Sequence, residues 1–270
     1  MMPRFRDQLG REVELAKKPK RLVSLVPSQT ELLAYLGLAE ETLGITAWCE
    51  HPRHWRAEKT VVGGTKNIDR EKIAALQPDL ILANKEENPS EQIEALMEDY
   101  PVWVSDVHNI PQAQEMISAL GELTGTHRRA SELNRAISQA RLSPANYALP
   151  ALYLIWKDPY MVAGHDSYIN ALLAELGLAN RAPQNRGRYP QMTPAEIAAS
   201  GAQVILLSSE PYAFCSGDSQ AFWQSGRLVK LVDGALFSWY GSRLLPALAY
   251  LRQLRKELDL LAPLFSQGKS

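Results

Sequence analysis

This 270-residue sequence predicts two α/β lobes, each Rossmann-like with a largely parallel sheet, joined by one long backbone helix. Three observations carry the prediction. Short apolar runs alternate with helical patterns through the first hundred residues, which is the signature of βαβ units. Helical periodicity then covers Pro111–Leu142. Finally, the first-half pattern returns in the second half. Leu33-Ala34-Tyr35-Leu36-Gly37-Leu38 recurs as Leu173-Ala174-Glu175-Leu176-Gly177-Leu178. Ile73-Ala74-Ala75, followed by Leu80-Ile81-Leu82 and Glu86, recurs as Ile197-Ala198-Ala199, Val204-Ile205-Leu206 and Glu210. Matches in the same order on the same expected elements argue for two similar lobes. The expected division is an N-terminal lobe at 1–108, a linking helix at 109–144 and a C-terminal lobe at 145–270.

The first strand is Arg21–Val26, which stops at Pro27. Ser28 with Glu31 three residues on reads as a capping box, so Pro27–Gln29 is expected to be a strand-to-helix turn, and Gly37 ends the helix. Strands follow at Leu43–Ala47, Leu80–Ala83 and Val102–Val104, with helices at Asp69–Leu76 and Ser90–Tyr100. In the linking stretch, Ala113, Met116, Ile117, Leu120, Leu123, Ala130, Leu133 and Ile137 lie near helical spacing. Gly121 and Gly125 interrupt it, each at a cost of about 1 kcal/mol relative to Ala. Pro144 and Pro150 end it, and strands are expected at Ala151–Trp156 and Val204–Ser208.

Composition narrows the function. With 29 basic and 30 acidic residues the net charge is −1, so the basic stripe of a nucleic-acid binder is missing. No run of about 18 apolar residues predicts a membrane span. Met1–Lys20 is charged and has no apolar signal core, which predicts a cytoplasmic protein, or a periplasmic one if a leader has been trimmed. Cys49 and Cys215 are too few and too far apart for a disulfide framework or a zinc ribbon. The motifs GxGxxG, Walker A, GxSxG and HExxH are missing, and Gly63-Gly64-Thr65-Lys66 lacks the first glycine of a phosphate loop.

Two lobes joined end to end create a cleft, and the strand ends facing it are the default ligand site. Pro27, Ser28 and Gln29 either cap a helix or offer its N–H groups to a ligand. In Trp48-Cys49-Glu50-His51-Pro52, an extended chain would point Cys49 and His51 the same way as a metal pair; otherwise Trp48 stacks on a ligand, or the loop only packs. Asn84-Lys85-Glu86-Glu87-Asn88 is either a functional carboxylate pair or a solvated turn. By the internal repeat, Glu86 and Glu210 would face one another. Trp156, Tyr160, Tyr189, Tyr212, Phe214 and Trp239 supply rigid aromatic area beside prolines and glycines, suited to a flat or bulky ligand. His165 either meets a metal centre or lies in a helix cap formed by Asp166 or Ser167.

The stretches RLVSLVPSQTELLAYLGL, GITAWCEHP, VVGGTKNIDREKIAALQPDLILANKEEN, DPYMVAGHDSYINALLAELGLAN and SSEPYAF together resemble the class III substrate-binding proteins of ABC importers, the helical-backbone metal receptors. The likeness runs from about Arg21 to Leu254 and is nearest the cobalamin-binding branch. It implies a monomeric, non-enzymatic receptor that captures a cobalamin-like corrinoid or other metal chelate between its lobes and needs no cofactor of its own. Pro27, Ser28, Trp48, His51, Gly64, Glu86, Trp156, Tyr160, Glu210, Tyr212 and Trp239 are the expected contacts. An ABC permease is the implied partner, docking on an acid of each lobe. Glu71 matches the first; the second falls near Gly241, leaving Glu196 as a substitute. Asn84 stands where the family has tryptophan. The alternatives are a cytoplasmic metal-binding protein, or a carboxylate-based hydrolase using Glu86, Glu87 and Glu210.

Overall fold

The computed structural model describes residues 4–223 and 227–266. The chain divides into two compact units. The first takes the chain as far as Ser138 and also Trp239–Leu244, and the second takes the remainder.

Unit 1 opens with an antiparallel ribbon, β1 (Arg4–Arg6) and β2 (Glu12–Glu14), pinned by Arg4 against Glu12 and Glu14. The main layer follows as β3 (Leu22–Ser24), α1 (Pro27–Leu36), β4 (Thr42–Ile45), α2 (Trp55–Glu58), β5 (Thr60–Val61), α3 (Arg70–Leu76), β6 (Leu80–Asn84), α4 (Ser90–Met97) and β7 (Val102–Ser105). Two helices close it, α5 (Ile110–Leu123) and α6 (His127–Ala140). The strands pair in parallel in the order β5-β4-β3-β6-β7. Such a sheet is covered on both faces, so its strands are continuous apolar runs: β3, β6 and β7 are buried throughout. Val23, Ile73, Ile81, Ile93 and Val104 form the core on one face.

Unit 2 repeats this order. Its elements are β8 (Leu149–Trp156), β9 (Met161–Val162), α7 (Tyr168–Glu175), β10 (Leu178–Asn180), α8 (Pro194–Ala199), β11 (Val204–Ser208), α9 (Ser216–Ser219), β12 (Leu228–Val232), α10 (Ala235–Ser238) and α11 (Leu244–Ser266). The parallel order is β10-β8-β11-β12, with β9 antiparallel on β8. Thus β8, β10, β11 and β12 stand to one another as β3, β4, β6 and β7 do. The sequence repeat maps onto this correspondence, since α1 and α7 are each followed by a left-handed glycine, Gly37 and Gly177. In both sheets the order reverses beside the first strand, the place where ligands generally bind in open parallel sheets.

Two expectations need correction. The linking stretch is not one helix from Pro111 to Leu142, because α5 ends at Leu123 and α6 starts at His127. Gly125 has φ +64° and forms the turn, while a Cβ at Gly121 would lie 2.5 Å from the Cβ of Ala130. The two glycines are therefore a reversal and a close approach, and α6 folds back along α5 through Asn134 to Gln114 and Ser118. The chain first passes from unit 1 to unit 2 within α6, between Ser138 and Gln139. The capping box also fails. Helix α1 begins at Pro27, its N-cap is Val26 without a side-chain bond, and Ser28 lies inside the first turn. Proline suits that first position because its missing N–H would be unpaired there anyway.

Candidate functional site

In unit 1, four strand-end loops and the returning segment Trp239–Leu244 come together. At the start of α1, Ser28, Gln29 and Thr30 are buried. Gln29 Nε2 donates to Ser105 Oγ at 2.6 Å and to the Ala83 carbonyl at 3.2 Å. The buried Tyr240 hydroxyl is hydrogen-bonded with Ser105 and Ser28, and burial pushes its pKa up. Pro27 is half-buried beside this network.

The loop after β4 is a turn rather than an extended strand. Cys49 is wholly buried, its sulfur 3.1 Å from Thr30 Oγ1 and 3.4 Å from Thr46 Oγ1, and desolvation pushes its pKa up. His51 is half-buried and meets Trp239 edge-on, with ring centroids 6.0 Å apart. The strand alternation expected to align Cys49 and His51 does not exist here, because this segment is a turn. Among the described residues no group of three or more His, Cys, Asp or Glu is placed to hold a metal ion. Trp48, by contrast, is 64% exposed.

The turn after β5 fixes that indole. Gly63 has φ +97°, and a Cβ there would lie 2.3 Å from the Asn67 carbonyl oxygen. Gly64 N–H donates to the same carbonyl at 2.9 Å, so Gly63–Ile68 is a closed turn and not a phosphate cradle. A Cβ at Gly64 would lie 3.1 Å from Trp48 Nε1, so the small residue leaves room for the indole.

After β6 the chain is clamped. Asn84 Oδ1 accepts from the N–H groups of Glu86 and Glu87, both at 2.9 Å. Asn88 Oδ1 accepts from Asn84 N–H, and Asn88 Nδ2 donates to the Leu25 and Thr65 carbonyls. Glu86 and Glu87 are half-buried; burial pushes the Glu87 carboxyl pKa up, Lys66 opposes this and Glu86 adds to it. The sequence offered the signal for this clamp in two asparagines flanking a strand end, a residue type that binds nearby backbone N–H groups. Arg243 was missed as well. Its guanidinium lies 5.5 Å over the Trp239 ring and bonds Glu31. Its ion-pair partner Glu31 lies 212 positions away, so no local pattern marks that pair.

In unit 2, the loops after β8 and β11 carry the aromatics. Trp156, 39% exposed, meets Tyr212 at 5.9 Å, and Tyr212 meets Phe214 at 4.7 Å, both edge-on. Tyr160 packs on Phe222 at 5.2 Å. Tyr160 and Tyr212 are partly buried against the core, so they join the loop surface to the unit's interior. Lys157 Nζ holds buried Asp218 at 2.6 Å, which lowers the Asp218 pKa to about 2. Glu210 is half-buried two residues beyond β11, the same place in this unit that Glu86 has after β6 in the other. His165 is exposed with Nε2 2.9 Å from the Ala182 carbonyl, and Ser167 caps α7.

The two expected docking acids differ. Glu71 is exposed in the first turn of α3. Glu196 closes a capping box with Thr193 and pairs with Arg186 at 2.8 Å; the Thr193 backbone bond and Arg186 hold its pKa down at about 2.

The model of the periplasmic binding protein family matches residues 22–225. The chain belongs to that family. Family membership makes it a ligand-binding receptor and not an enzyme, so the hydrolase alternative built on Glu86, Glu87 and Glu210 is set aside. Among curated family relatives, the vitamin B12-binding protein of Pectobacterium carotovorum subsp. carotovorum is 25% identical over 93% of this chain and 92% of its own length. An uncharacterized ABC transporter substrate-binding lipoprotein, YvrC of Bacillus subtilis, is 26% identical over 75% of the chain and 68% of its own. The periplasmic vitamin B12 binding protein BtuF of Vibrio cholerae superposes with a TM-score of 0.76 at 20% identity, covering 90% of this chain and 98% of that one. The periplasmic heme-binding protein RhuT of Roseiflexus sp. RS-1 gives 0.73 at 21% identity, over 88% and 98%. Structures named for different ligands thus share this fold.

Proposed function

We propose that this receptor captures a corrinoid-type metal chelate, cobalamin or a close analogue, and delivers it as a monomer to an ABC permease. The observation that carries the reading is the near full-length likeness to vitamin B12-binding relatives, joined to loops of fitting chemistry. A corrinoid is a broad apolar ring edged with amides. Exposed Trp48 and Trp156 offer flat contact area, and Ser28, Gly64, Glu86 and Glu210 lie at strand ends where polar edges can be met. Pro27, His51, Tyr160, Tyr212 and Trp239 complete the contact set, with each unit presenting its own loops. Arg243 is added to it, because its planar guanidinium beside Trp239 suits an amide carbonyl.

The chelate is cargo, not a cofactor. Glu71 is the preferred docking acid for the permease, since the Glu196 carboxylate is already held by Thr193 and Arg186. No helix among the described residues is long and apolar enough to cross a membrane. Relatives named as a lipoprotein and as periplasmic proteins favour action outside the cytoplasm, and they give the cytoplasmic expectation no support. The test is retention: protein mixed with hydroxocobalamin and desalted should keep the corrinoid absorption bands at one per chain. Colourless protein that instead keeps haemin would move the reading to a porphyrin receptor.

A further inference from the structure

Glu87 has a fixed backbone and an unengaged carboxyl. Its N–H is held by Asn84, and Asn88 fastens the far end of the loop to Leu25 and Thr65. The side chain is half-buried, and among the described residues its carboxyl accepts no hydrogen bond. The charged and titratable groups that act on it are Lys66, whose ammonium is bonded to the Glu86 carbonyl, Glu86 itself and the Tyr240 phenol. A partly desolvated carboxyl without a donor is costly to keep. Its rigid mounting makes it one half of a contact that a ligand would complete.

We propose that Glu87 selects among ligands by their peripheral groups, accepting a hydrogen bond from a neutral carboxamide N–H and rejecting a carboxylate at the same place. The inference rests on the reading of these loops as a chelate-receptor surface. A carboxamide brings the N–H that Glu87 lacks. A carboxylate brings only acceptors and a second negative charge, so one of the pair must take up a proton or both must lose hydration unpaired. Glu86 sharpens the penalty, and Lys66, already bonded to a carbonyl, relieves only part of it. Rejection by a fixed like charge gives selectivity without new attractive contacts.

The test compares cyanocobalamin with the isomeric monocarboxylic acids made by hydrolysing one peripheral amide. Each is titrated at pH 8 into the wild type, Glu87→Gln and Glu87→Asp. At least one acid should bind the wild type about tenfold or more weakly than the parent amide, a gap of about 1.4 kcal/mol. Glu87→Gln should shrink that gap to about threefold or less while binding the parent within about threefold of wild type, and Glu87→Asp should keep the gap. Overlapping melting curves would establish that the variants are folded. An unchanged gap in Glu87→Gln, or no gap for any isomer, overturns the proposal. If the wild type binds no corrinoid, the ligand reading alone has failed, and haemin against its dimethyl ester takes the same test. There the ester should bind the wild type more tightly and the difference should close in Glu87→Gln; equal behaviour, or no binding of either ring, overturns the proposal.

Discussion

Arg243 Nε lies 2.9 Å from Glu31 Oε2, although the two residues are 212 positions apart. Both side chains are mostly buried, at 16% and 20% exposure. This ion pair fastens Trp239–Leu244, a segment from the far end of the chain, onto α1 of unit 1. The Tyr240 hydroxyl, bonded with Ser28 and Ser105, anchors the same segment from its other side. Trp239, with Arg243 over its ring, is thereby held beside His51.

Removing one partner of that pair should cost more than removing both. Arg243→Met leaves the Glu31 carboxylate unpaired and should lower unfolding stability by about 2 kcal/mol. The double variant Arg243→Met with Glu31→Leu should recover part of the loss. Urea unfolding followed by circular dichroism measures the wild type, Arg243→Met, Glu31→Leu and the double variant; additive losses would mean that the pair is uncoupled.

The two aromatic residues of unit 1 should respond differently to truncation. Trp48 is largely exposed, so Trp48→Ala should leave the melting temperature near wild type and weaken chelate binding by about 1–2 kcal/mol. Trp239→Ala also removes the ring contact with His51 and the Arg243 cation–π contact, so it should lower both affinity and stability. Equal melting temperatures for the two variants would contradict this division.

Gly63→Ala should destabilise by about 2 kcal/mol or more, because the left-handed backbone and the Asn67 carbonyl both oppose a Cβ. Gly64→Ala should act on the site instead, moving the Trp48 indole and weakening binding with a smaller change in stability. Paired thermal melts and titrations separate the two effects.

The cysteines should label in sequence. Cys215 is exposed, whereas Cys49 is buried with its thiol pKa raised by desolvation and only partly countered by Thr30 and Thr46. At pH 8 one thiol should react promptly with a disulfide reagent, and the second only as the protein unfolds. Loss of the prompt reaction in Cys215→Ser identifies the site; two prompt thiols in the wild type would refute the buried environment.

Acid should weaken the Lys157–Asp218 tie in a defined window. The folded-state Asp218 pKa of about 2 lies below the unfolded value of about 3.9. Its contribution is thus complete above about pH 3.9 and is lost as pH falls through about 2. Between pH 4 and pH 2 the wild type should lose more stability than Asp218→Asn, read as urea midpoints at each pH. Parallel losses would show that another carboxylate dominates.

Much of the fold was legible because its signals are local. Parallel strands buried on both faces must be apolar runs, and the helix–glycine ends at Gly37 and Gly177 repeat because each lobe turns its chain in the same way. Where local signals misled, a three-dimensional neighbour had intervened. Gly121 and Gly125 looked like tolerated interruptions of one helix, but the close packing of Ala130 made them a reversal. Cys49 and His51 looked paired because strand alternation was assumed, whereas a turn sends the thiol toward Thr30 and Thr46.

The sequence by itself determined the two parallel layers, their repeat, the family and the strand-end loops that carry the candidate contacts, since periodicity, turn residues and motif order are written along the chain. Only the tertiary structure decided that the linking stretch reverses into two helices, that Cys49 is core, that Asn84 and Asn88 clamp the Glu86–Glu87 loop, and that Trp239–Arg243 belongs to unit 1. Each of these depends on a partner distant in sequence or on a backbone reversal. Burial and hydrogen-bond satisfaction over the folded chain select such partners, and no local window contains both members of the pair.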